Sequence, residues 1–188
     1  MLEKSELHRI LDTQKKAHLK DGPLSLDQRK DWIDRLINSI IKYQKQLPEA
    51  ISEDFSHRSK TSSLLADVAS SITSLKIAKK NIKKWMKPSK REVSPKILSF
   101  LGAKLRVEYQ PLGTVGLISP WNFPVVLTFG PLGSIFAAGN RVMIKPSEFT
   151  PITSELMKQM FKENFSEDEV AVVTGGPEAV SYTHLTLP

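Results

Sequence analysis

Two short stretches of this 188-residue chain combine prolines with polar side chains, Ser119-Pro120-Trp121-Asn122-Phe123-Pro124 and Lys145-Pro146-Ser147-Glu148. Each follows an apolar run of strand character. In an open parallel sheet ligands bind at the carboxyl ends of the strands, so both rigid loops are candidates for ligand contact. No G-x-G-x-x-G joins the first strand to its helix, and no G-x-x-x-x-G-K-[ST] occurs anywhere. The chain holds no cysteine, which excludes disulfides, thiolate metal sites and a cysteine nucleophile within these residues. His57 has no second catalytic group beside it and reads as a surface or capping histidine. The residues alone therefore imply an α/β ligand-binding domain.

The elements that must carry these loops follow from periodicity. Val115–Ser119 is a nearly continuous apolar run, the pattern of a strand buried on both faces. Phe123–Ala138 predicts a helix, Arg141–Lys145 a strand, Pro151–Glu163 a helix and Val170–Val173 a strand. That alternation is the grammar of a parallel sheet with right-handed crossovers. Lys104–Tyr109 alternates polar and apolar residues, as a half-buried strand does.

The first half reads as helical. Ser25 and Gln28 have capping-box spacing, and Trp32, Ile33, Leu36, Ile37, Ile40 and Ile41 then form one helix face. Pro48 ends that helix or opens a short one over Glu49–Phe55. Thr61 or Ser62 is placed to cap a long helix whose core stripe is Leu65, Val68, Ile72, Leu75, Ile82 and Trp85, stopped by Pro88. Trp32 and Trp85 read as core residues. Lys87–Lys96 reads as a polar connector.

The formal net charge is +7, and much of it lies between Lys79 and Lys96. With no aromatic residue interleaved except Trp85, the run reads as a solvated helix face and linker rather than a nucleic-acid site. No apolar run of membrane-spanning length and no leader-like segment occurs, so the expectation is a cytoplasmic protein without membrane or nucleic-acid partners.

A resemblance adds to this reading. Pro111-Leu112-Gly113-Thr114-Val115-Gly116-Leu117-Ile118-Ser119-Pro120-Trp121-Asn122-Phe123-Pro124 resembles the aldehyde dehydrogenase signature around P-W-N-F-P. Gly139-Asn140-Arg141-Val142-Met143-Ile144-Lys145-Pro146-Ser147-Glu148-Phe149-Thr150-Pro151 resembles the G-N-x-x-x-x-K-P-S-E-x-x-P segment of the same family, in the family's order and spacing. The resemblance runs on through Gly175-Gly176-Pro177-Glu178. Asp54-Phe55-Ser56-His57-Arg58-Ser59 is similar to the D-F-G-H-R-S stretch of the coniferyl aldehyde dehydrogenase group, with Ser56 where that group has glycine.

The resemblance implies a helical region over 1–90, followed over 91–180 by the first part of a parallel-sheet dinucleotide-binding domain. It implies oxidation of an aldehyde, in this group an aromatic one, to its acid with NAD(P). Asn122 matches the side-chain amide that stabilises the oxyanion, a type of donor worth ~3 kcal/mol. Ile118, Ser119, Pro120, Trp121 and Asn122 match the stretch that lines the cofactor. Lys145, Ser147 and Glu148 match the segment that binds the adenosine ribose, and Gly175 a glycine beside the adenine. A carboxylate at Glu148 would accept from ribose hydroxyls and repel a 2′-phosphate, which favours NAD, with NADP as the alternative. The family's cysteine nucleophile and water-activating glutamate have no counterpart here, so the expectation is the N-terminal part of a homodimeric parent, inactive alone. The alternative is a stand-alone dinucleotide- or partner-binding module. Resemblance stops at Ser181, and 181–188 reads as a non-native tail.

Overall fold

A computed structural model describes residues 4–176. The chain opens with α1 (Lys4–Asp21), α2 (Leu26–Lys42) and α3 (Gln46–Asp54). One helical rod then runs through α4 (Lys60–Ser63), a π-helical turn (Leu64–Ala69) and α5 (Ser70–Trp85). A small antiparallel pair follows, β1 (Ser89–Arg91) and β2 (Leu105–Val107), with α6 (Lys96–Phe100) between them. The α/β part is β3 (Thr114–Ile118), α7 (Val126–Ala137), β4 (Arg141–Lys145), α8 (Pro151–Asn164) and β5 (Val170–Val172). Its three strands are parallel, in the order β3-β4-β5. The fold class is thus α/β with an N-terminal helical region, as the strand–helix alternation predicts.

Strand alternation divides the core between two faces. Val142, Ile144 and Val170 point into a large apolar cluster with Trp32, Ile33, Leu36 and Ile40 of α2 and Phe129, Phe136, Met157 and Phe161 of the crossover helices. Met143, Ala171 and Val173 point the other way, against Leu7, Ile10 and Leu11 of α1. The helical region and the sheet therefore share one core. Gln14 fastens α1 by donating to the carbonyls of Val142 and Glu167, both at 3.0 Å. Gly133 allows α7 to lie against α5, because a Cβ there would stand 3.1 Å from the Ala78 Cβ.

Ser25 and Gln28 make the full capping box at the start of α2. Several other expectations are corrected. Ser59, not Thr61 or Ser62, caps the long helix, its hydroxyl accepting from the Ser62 N–H. A π turn interrupts the long helix; there Asp67 and Val68 are buried, while Leu65, expected in the core stripe, is 64% exposed. Trp85, expected in the core, is 44% exposed at the last turn of α5. Ile41 is likewise exposed, at the edge of the α2 face. The polar connector contains β1, and β2 is exposed along its whole length. β3 is an edge strand among the described residues, and Gly116 and Ile118 are open to solvent rather than buried. α1 falls within the helical region expected over 1–90, although no individual helix was placed there, because its apolar positions are few and polar residues surround them. Residues 181–188 lie outside the described residues.

No described helix is long and apolar enough to cross a membrane. Lys80, Lys83, Lys84 and Lys87 are exposed, while Lys79 pairs with Asp34 at 2.6 Å. Glu163 joins α8 to α2, accepting from Lys42 Nζ and from the Tyr43 hydroxyl, both at 2.7 Å. These bonds, with one from Gln159, hold the carboxyl well below its ordinary value of 4.5, at about 2. A depressed carboxylate contributes stability that is complete above the unfolded value and lost as pH falls through the folded one. Denaturant midpoints measured from pH 4.5 down to 2 are expected to fall less steeply in Glu163→Gln than in the wild-type chain. Identical slopes would mean that this carboxylate does not couple folding to acid.

Candidate functional site

The two loops leave the sheet side by side. Register pairs Ile118 with Lys145, so the two side chains lie on the same face, and the Ser119 N–H donates to the Lys145 carbonyl at 3.0 Å. Gly175 follows the end of β5 at the same carboxyl edge. Both loops and Gly175 thus follow strands that end at the same edge of the sheet.

In the second loop Lys145 is buried and pairs with Glu148. That bond holds the Glu148 carboxyl below its usual range, so it is ionised at neutral pH. Ser147 is buried, and its hydroxyl accepts from the Phe149 N–H at 3.2 Å, shaping the turn into α8. Asp54, at the end of α3, caps that helix from outside. Its carboxylate accepts the N–H groups of Ile152 and Thr153 at 3.1 and 2.8 Å and the Thr153 hydroxyl at 2.7 Å. Such capping satisfies amides that have no partner within a helix.

In the first loop Ser119 is buried, and its hydroxyl has no hydrogen-bond partner among the described residues. Pro120 is exposed, and the exposed Trp121 stacks on Phe55 at 6.1 Å between ring centroids. Asn122 is exposed, and its side-chain amide makes no hydrogen bond among the described residues, whereas its carbonyl accepts from Arg58 Nη1 at 2.7 Å. The Arg58 guanidinium lies over Phe123 at 4.6 Å and Phe55 at 5.3 Å. It also reaches Asp67 at 3.4 Å. Asp67 is fully buried and takes the N–H groups of Val125 and Val126, both at 3.1 Å, at the start of α7. Burial raises the Asp67 carboxyl, opposed by those amides and by Arg58.

Sequence reasoning missed Asp54, Phe55, Arg58 and Asp67 as site-shaping residues. The available signal was Asp67, a carboxylate next to Val68 in an apolar stripe. His57 is exposed on the turn between α3 and α4. No group of three or more histidines or carboxylates suited to a metal occurs among the described residues.

A three-stranded parallel sheet, helices on both faces and two rigid loops at its carboxyl edge define an α/β fold of the ligand-binding kind. Residues 2–185 match the model of the aldehyde dehydrogenase family, and the chain belongs to that family. It is 53% identical over 175 residues to a probable coniferyl aldehyde dehydrogenase of Caulobacter vibrioides, covering 93% of this chain and 36% of that protein. It is 47% identical over 173 residues to the coniferyl aldehyde dehydrogenase of a Pseudomonas species, covering 92% of this chain and 35% of that protein. The chain therefore spans about a third of the length of these relatives. The solved AldH of Staphylococcus aureus, in a substrate-bound state, superposes with a TM-score of 0.87 at 28% identity, over 94% of this chain and 38% of that one.

The turn between the two loops' supports carries backbone strain. Ser56 has φ 49° and His57 φ 80°, in the left-handed region that glycine adopts freely. Ser56→Gly is expected to stabilise the chain by roughly 0.5–1 kcal/mol, the left-handed penalty net of glycine's added unfolded entropy. Urea unfolding of both chains measures this, and an unchanged or lower midpoint would contradict it.

Proposed function

We propose that this chain forms the first part of the active centre of an NAD(P)-dependent dehydrogenase that oxidises an aromatic aldehyde of the coniferyl type to its carboxylic acid. The observation that carries the reading is the exposed side-chain amide of Asn122, which makes no hydrogen bond among the described residues while its own carbonyl is anchored by Arg58. In such a reaction a thiolate adds to the aldehyde carbon, and the carbonyl oxygen gains charge. A pre-positioned amide N–H donor aimed at that oxygen lowers the barrier, because it need not reorganise as the charge develops.

The residues present fit a dinucleotide. Ile118 and Trp121 offer exposed apolar surface, Ser119 a buried hydroxyl with an unused hydrogen-bonding capacity, and Glu148 an ionised acceptor for ribose hydroxyls. Bound NAD(P)+ would supply the hydride acceptor. The Glu148 carboxylate would meet a 2′-phosphate with like charge, which favours NAD+, while Lys145 tempers that preference. Ser147 serves this site by shaping the turn, and Gly175 by leaving room at the end of β5. These 188 residues contain no cysteine, so the thiolate would come from outside them. The protein would act as a homodimer in the cytoplasm.

The test is NADH formation from coniferyl aldehyde by the complete gene product, with the 188-residue chain alone as the inactive comparison. Turnover by the complete protein is expected. Turnover by the short chain would remove thiolate catalysis. Asn122→Ala is expected to lower kcat by about 100- to 1,000-fold. A variant that loses only affinity for aldehyde would contradict the role. Glu148→Gln is expected to raise the NADP+ to NAD+ ratio of kcat/KM by roughly tenfold, the scale of one partly exposed charge contact. An unchanged ratio would place cofactor choice elsewhere.

A further inference from the structure

The five residues Asp54–Arg58 join two helices by a short turn, yet they touch one loop of the site and the start of the helix that follows the other. At one end Asp54 holds the first amides of α8, directly after the Lys145–Glu148 loop. In the middle Phe55 stacks on Trp121. At the other end Arg58 holds the Asn122 carbonyl, covers the Phe123 ring and meets the buried Asp67. The Arg58 side chain is only 17% exposed, so its charge is committed to these partners. The turn is fixed by the His57 N–H, which donates to the Ser52 carbonyl at 2.8 Å, and it is held in two left-handed conformations.

We infer that the Asp54–Arg58 turn is a brace that sets the Asn122 loop relative to the start of α8, the helix that follows the Lys145–Glu148 loop, and that Arg58 is a positioning residue for the Asn122 amide. The inference on turnover rests on the reading of Asn122 given above; the inference on loop order does not. A guanidinium suits this position because its planar fork can donate to a carbonyl and reach a carboxylate while its face packs on aromatic rings. A lysine can neutralise Asp67 but cannot do all three. Anchoring Asn122 by its carbonyl leaves its side-chain amide available, so loss of Arg58 displaces a donor without removing it. Misplacement of a reacting geometry by about 1 Å can cost on the order of 100-fold in rate.

The experiment uses the complete gene product with Arg58→Lys, Arg58→Ala, Asp54→Asn, Asn122→Ala and the Arg58→Ala/Asn122→Ala double variant. Arg58→Lys, which retains a charge beside Asp67, covers the case in which Arg58→Ala does not fold. Hydrogen exchange is read at the loop 119–126, and kcat and the KM for NAD+ are read with coniferyl aldehyde. Both Arg58 variants are expected to speed exchange of the Val125 and Val126 amides while other core amides are unchanged. They are expected to lower kcat by roughly 10- to 100-fold with little change in KM for NAD+. Asp54→Asn is expected to do the reverse, raising KM for NAD+ several-fold. In the double variant Arg58→Ala should add little to the loss already caused by Asn122→Ala, because the two share one function. Guanidinium ion added at millimolar concentration should restore part of the activity of Arg58→Ala and none of Asn122→Ala. Unchanged exchange at 119–126, or fully multiplicative losses in the double variant, would overturn the brace. If the wild-type protein oxidises no aldehyde, the proposed function fails, and the exchange data alone decide the brace.

Discussion

The site depends on a carboxylate buried where water cannot reach it. Asp67 lies inside the helical layer with no exposed surface. A lone buried carboxylate is expensive, and burial alone would neutralise it. Here two amides at the start of α7 and Arg58 offset part of that cost, although burial still raises the carboxyl. α7 has no side-chain cap of its own, since Val125 precedes it. Asp67 is therefore the cap, delivered from another element, and it fixes where the chain turns from the Asn122 loop into the helix. Removing one partner of such a pair strands the other, a change that costs about 3–5 kcal/mol in buried ion pairs.

Asp67 lies within the π turn of the long helix. Within the Leu64–Ala69 turn Asp67 and Val68 face inward together and Leu65 faces out. Ser71 supports the turn by donating its hydroxyl to the Asp67 carbonyl at 2.6 Å. Isolated π turns of this kind recur near functional sites, where an inserted residue re-aims a side chain.

These cases explain what could be read in the sequence. The Ser25–Gln28 capping box, the fully buried β4, the helix opened by Pro151 and the parallel order all follow from rules local to a few residues. The two site loops were legible for the same reason, since each follows a strand that periodicity identifies. The π turn was not, because a fixed period of 3.6 has no place for an added residue. α1 escaped notice because its burial rests on Leu7, Ile10, Leu11 and one glutamine, with charged residues between. β1 was missed because its residues are polar throughout, and β2 and Trp85 were misjudged because solvent covers what their patterns present as half-buried or core. The Arg58 contacts span sequence separations that no local rule joins, from Asp67 to Asn122.

The same geometry accounts for a division of labour within Asn122. In the proposed role its amide must be held rigid, but any bond that immobilises the amide would also use it up. Here the backbone carries the restraint: Pro120 and Pro124 limit the loop on either side, the carbonyl is fixed by Arg58, and the amides of Val125 and Val126 are tied to Asp67. The side chain is left with its donors free. The orphaned Ser119 hydroxyl fits the same pattern, since its backbone N–H is spent on the Lys145 carbonyl and its Oγ is not. Rigidity is thus drawn from main-chain groups and from residues outside the loops, and the side chains facing the rim keep their hydrogen-bonding capacity for a ligand.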